Sequence, residues 1–63
     1  MEQYEKAIRE LNKRIEAYRY HNKPIYIDHV KIESFSARAA FISVLETERD
    51  VLITNMRKEL GYD

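Results

Sequence analysis

Apolar residues recur along the first third of the chain at Met1, Tyr4, Ile8, Leu11, Ile15 and Tyr18. Their spacing alternates between three and four, which lines them up as a narrow heptad seam on one side of an α-helix. Polar residues fill most of the remaining positions. Glu2 with Lys6, Glu5 with Arg9 and Glu10 with Arg14 stand at i,i+4 in the favoured order. Each such pair adds only a few tenths of a kcal/mol, so together they mark a solvated face. The pattern predicts a helix over about residues 3 to 21 that a single neighbouring helix would satisfy. Pro24 ends it, with Asn22 as the C-cap residue.

A second helical pattern occupies about residues 34 to 60. On a helical wheel, Ser36, Ser43, Glu46, Thr47, Asp50, Thr54, Arg57 and Lys58 cluster on one side. Phe35, Phe41, Ile42, Val44, Leu45, Val51, Leu52, Ile53, Met56 and Leu60 spread over roughly 200° of the rest. A helix docked on one partner needs an apolar stripe of about 100°, so this face is about twice as wide as one neighbour requires. The two predicted helices also differ in length, at about 28 Å and about 40 Å. A simple hairpin would leave part of the longer one bare. Pairing two hairpins through their second helices would cover the surplus, as a two-fold, antiparallel four-helix bundle. The expected dimer interface is Phe41, Val44, Leu45, Glu48, Arg49, Val51, Leu52 and Met56. Arg38, Glu48 and Arg49 fall inside the wide face, either as a recognition site or as ion pairs and snorkelling side chains at a helix interface. Ala37, Ala39 and Ala40 either let helices approach closely or simply favour helix.

Between the helices, at about residues 22 to 33, runs a connector containing PIYIDHVKI. It is rich in Ile, Val and Tyr, which form strands. A lone buried strand cannot leave its backbone groups unpaired, so a strand here is expected to pair with a second chain. A competing pattern starts the second helix early, with Asp28 as N-cap and Ile27 against Ile32 as a hydrophobic staple. Ser34 and Ser36 are alternative caps. The favoured arrangement is an extended connector to about residue 28, with the helix beginning between Asp28 and Ser34. Tyr20, His21, Lys23 and Tyr26 form a candidate partner-binding patch, since aromatic and cationic side chains are favoured at binding hot spots. Alternatively, Tyr26, Ile25 and Ile27 close the open end of the bundle.

Composition narrows the function classes. The chain has 63 residues, so a lone core is marginal and extra stability is expected from a partner chain. There is no cysteine, which removes a disulfide framework and fits a reducing compartment. Lys plus Arg number 11 and Asp plus Glu number 11, a formal net charge of zero. A dedicated nucleic-acid binder usually carries a basic excess. Arg9, Lys13, Arg14 and Arg19 give the first helix some basic character, but Glu5, Glu10 and Glu16 interleave with them and cancel much of the field. The longest uncharged run, Ala39 to Leu45, is far below the ~20 residues of a membrane span. The opening MEQYEKAIRE is acidic and polar where a signal peptide is basic and then apolar, so a cytoplasmic location is expected.

Candidate chemistry is sparse. His29 and Glu33 stand at i,i+4, a two-ligand coincidence well short of a zinc motif. The only glycine, Gly61, follows Leu60 as a helix stop rather than cradling phosphate. Ser34, Ser36 and Ser43 lack a nucleophile motif, and Glu46 and Asp50 lie on the solvated face. No catalytic residue, metal or cofactor is expected. The leading expectation is an all-α helical hairpin that homodimerises and binds another protein to modulate its activity. The alternatives are a small nucleic-acid-associated transcriptional regulator and a structural subunit of a larger assembly. Small regulatory proteins of this general size and architecture include those carried by phages and plasmids, an analogy of architecture alone.

Overall fold

The computed structural model describes residues 2–61. The chain runs α1 (Glu2–Tyr20), β1 (Ile25–Ile27), β2 (Val30–Ile32) and α2 (Phe35–Leu60). The protein is thus mostly helical, a helical hairpin whose connector is itself a two-stranded antiparallel ladder. Met1, the first member of the heptad seam, lies outside the described residues.

The helices cross-contact in reverse order. Arg19 meets Glu46, while Asn12, seven residues earlier, meets Arg49. The chain therefore doubles back on itself. Leu11 and Ile15 of α1 pack with Ile42 and Leu45 of α2 into one buried cluster. Tyr18, Phe41 and Leu52 pack half-buried against it. The seam read from the sequence is the seam used: Leu11 and Ile15 are the two buried residues of α1.

Both ends of α2 are closed by local chemistry. Ser34 holds an extended backbone, and its hydroxyl accepts the Ala37 backbone N–H at 3.4 Å. This satisfies one of the orphan donors of the first turn. Gly61 takes a left-handed φ of 79° and returns its N–H to the Lys58 carbonyl at 3.1 Å, as the C-terminal glycine motif requires. Past the end of α1, Asn22 is also left-handed, at φ 51°. The Lys23 N–H then reaches back to the Ala17 carbonyl at 3.1 Å.

The connector departs from expectation in two ways. The strand does not wait for a second chain, because it pairs within its own. Ile25 stands opposite Ile32, Tyr26 opposite Lys31 and Ile27 opposite Val30. Asp28 is also not a helix cap. Asp28 and His29 form a two-residue turn with φ of 50° and 67°. Two successive positive φ values are the signature of a type I′ turn, whose twist matches the strands it joins. Asp is among the residues that tolerate this conformation, and His is enriched in it. The register puts Ile25, Ile27, Val30 and Ile32 on one face and Tyr26 with Lys31 on the other. Only the helix-proximal half of the apolar face is covered. Ile25 is 1% exposed, whereas Ile27 and Val30 project into solvent.

Candidate functional site

The wide face of α2 divides into two parts. Leu45 is buried against α1, and Leu52 packs on the same cluster. Phe41 meets the Tyr18 ring edge-on, with centroids 5.7 Å apart and planes at 73°. Arg49 donates from Nη1 to Asn12 Oδ1 at 3.2 Å and pairs with Asp50 at 3.3 Å. Met56 is half-buried beside Ile8 and Ile53. Four of these residues of the expected dimer interface, Phe41, Leu45, Arg49 and Leu52, therefore make contacts inside the hairpin, and the fifth, Met56, is half-buried. The remaining three, Val44, Glu48 and Val51, face solvent. Val44 is 55% exposed and Val51 is 52% exposed. They stand two turns apart on one stripe, and a shallow depression lies between Thr47, Glu48, Val51 and Leu52.

The other concentration of exposed apolar surface is at the hairpin end. Tyr20, Tyr26, Ile27, Val30 and Phe35 are all exposed there, and Phe35 is the extreme at 86%. The candidate patch Tyr20, His21, Lys23 and Tyr26 is wholly solvent-accessible. His21 Nε2 lies 3.9 Å from the Glu16 carboxylate. Strand pairing adds Lys31 beside Tyr26, a neighbour invisible without the turn geometry. His29 sits in that turn, and among the described residues no three His, Asp or Glu side chains gather to hold a metal.

Three arginines lie along the helix–helix boundary, and their partners differ. Arg19 is paired with Glu46, which raises the guanidinium pKa further. Arg49 has Asp50 and Asn12. Arg38 is half-buried and donates from Nη2 to the Tyr18 carbonyl at 3.0 Å. It has no carboxylate in ion-pair range among the described residues. Arg38 separates two clefts. One, of about 240 Å³, is bordered by Tyr18, Asn22, Phe35, Ala39 and Ile42. The other is bordered by Pro24, Lys31, Ile32 and Glu33. The helical wheel sets both Arg38 and Phe35 on the wide face, but it does not show that Phe35 walls a cleft beside Arg38. The signal was present in the i,i+3 spacing of Phe35 and Arg38 directly after a capping serine.

At the far end, Tyr4 of α1 lies near Glu59 of α2. Desolvation, together with the Glu59 carboxylate, holds the Tyr4 phenol above its usual pKa. No helix is long and apolar enough to cross a membrane among the described residues. No protein-family model matches the sequence, and no curated protein or solved structure matches it.

Proposed function

We propose that this chain is a small non-enzymatic interaction protein that homodimerises through the outer stripe of α2 and binds another protein, modulating its activity, with the hairpin end. The observation that carries the proposal is the surplus of surface. The chain exposes 5003 Å², whereas a compact protein of this mass exposes about 4,300 Å². The excess is on the order of what one partner contributes to a standard interface, about 800 Å². The radius of gyration agrees, at 13.7 Å against about 11 Å for a compact domain of this length.

The location of the surplus supports the same reading. Val44 and Val51 are separated by one heptad, the spacing that lets a helix meet its own copy. Ala37 and Ala40 extend the stripe toward the start of α2 and are exposed. Small side chains there allow close approach. The charge on the stripe is Glu48, at its middle. A two-fold axis near Thr47 sets Val44 against Val51 of the second copy, so each half-exposed valine gains an apolar neighbour.

Light scattering over a concentration series tests this. A mass near twice that of the chain is the expected result, reached at lower protein concentration in high salt, because salt screens Glu48 against Glu48 of the second copy while the valine contacts are apolar. A monomer at every concentration refutes the dimer.

A further inference from the structure

The cleft between the end of α1 and the start of α2 has two chemically distinct walls. One is cationic. The Arg38 guanidinium carries five N–H donors, and one is spent on the Tyr18 carbonyl. That bond fixes the group in place without neutralising it. Partial burial raises the cost of leaving a charge uncompensated. Lys31 and Glu33 both border the adjoining cleft, where their charges offset, so Arg38 is the cation that this cleft presents. Of the acids nearby, Glu46 is already engaged by Arg19, and Glu33 borders the outer cleft.

The other wall is apolar. Phe35 is the most exposed large hydrophobic residue among those described. Tyr18 is held by its edge-on contact with Phe41. Ile42 is buried behind them, and Ala39 is small enough to leave room above it. The volume, about 240 Å³, is below the ~300 Å³ at which small-molecule sites begin. It suits one anchoring side chain.

We propose that this cleft is the docking pocket for a segment of another protein that carries a carboxylate beside an apolar side chain. This rests on reading the chain as an interaction protein, but not on its dimerisation. Arg38 takes the carboxylate through its free donors, a charge-assisted geometry that the guanidinium fork favours. The neighbouring side chain lies on Phe35 and Tyr18. Charge complementarity selects this occupant: the half-buried Arg38 cation has no carboxylate in ion-pair range among the described residues, and the apolar wall is within the same cleft.

Nuclear magnetic resonance titration provides the test. The probes are acetyl-Phe-Asp-Leu-Asp-amide and its counterpart with Asn in place of Asp. The acidic peptide is expected to shift the Arg38 Nε–H and the Ala39 and Ile42 amides. It should bind about tenfold more tightly than the Asn peptide, since a hydrogen bond to a charged group contributes about 1.5–3 kcal/mol. Arg38→Gln should remove that preference. Phe35→Ser, at a position whose exposure spares the fold, should weaken both peptides. Equal binding of the two peptides, shifts mapping to Val44 and Val51, or the same shifts from inorganic phosphate alone would each overturn the proposal. Light scattering on the same samples separates the two readings. A dimer that ignores the acidic peptide sinks only the pocket, and a monomer that binds it sinks only the dimer.

Discussion

Ile25 and Ile32 stand opposite each other in the strand pair, on the face that meets the helices. Ile25 is the most buried side chain among those described, at 1% exposure. It lies outside the four-residue cluster between the helices, so it acts as a plug at one end of the hairpin. Ile25→Ala should therefore cost about 2–5 kcal/mol, the range for deleting a buried aliphatic side chain. Tyr26 is next to it in sequence but points to the opposite face and is 60% exposed. Tyr26→Ala should change stability by less than about 0.5 kcal/mol. Urea unfolding of both variants checks the contrast, and similar losses would contradict the register.

His29 pays a conformational penalty for its φ of 67°. A left-handed residue other than glycine costs roughly 1–2 kcal/mol, and Asp-Gly is a favoured type I′ pair. His29→Gly should raise stability, by up to about 1 kcal/mol after the added chain entropy of glycine. His29→Val should lower it, because a branched side chain is a poor fit to positive φ. Thermal melts of the two variants must move in opposite directions.

Val51 and Leu52 are adjacent, but they sit in different environments. Leu52 packs against the intrachain cluster, whereas Val51 is half-exposed. Leu52→Asp should unfold the hairpin, by burying an unpaired charge. Val51→Asp should leave the helical circular dichroism signal intact and yield a monomer. A Val51→Asp protein that stays dimeric and equally stable would remove the α2 stripe as the dimer interface.

Tyr4 carries a pH prediction. Its folded-state pKa lies above the ordinary 10.0 because of desolvation and Glu59. The protonated phenol is thus favoured in the folded chain. Its contribution is fully present below pH 10 and is lost as pH rises through the higher folded value. Between pH 9 and 11, wild type should lose more melting temperature than Tyr4→Phe, which has no proton to release. Parallel curves would show that Tyr4 and Glu59 do not interact.

Much of this protein was determined by sequence alone. Leu11 and Ile15 belonged to a heptad seam, and that seam is buried. Gly61 marked the end of α2 because only glycine adopts the left-handed conformation freely. Ser34 stood among the possible caps for a similarly local reason, a hydroxyl within reach of the first turn. Two matters were decided only by tertiary structure. The first is the connector. Ile25 to Ile32 could have been strand, loop or early helix, and what settled it was two positive φ values at Asp28 and His29 that bring Tyr26 beside Lys31. The second is the partition of α2. A helical wheel shows that its apolar face is too wide, but not which half α1 covers. That depends on the crossing of the helices, which buries Leu45, turns Val44 and Val51 outward and leaves Arg38 beside the Tyr18 carbonyl, with no carboxylate in ion-pair range among the described residues. Periodicity is local and follows from the geometry of one helix, whereas coverage depends on two helices meeting.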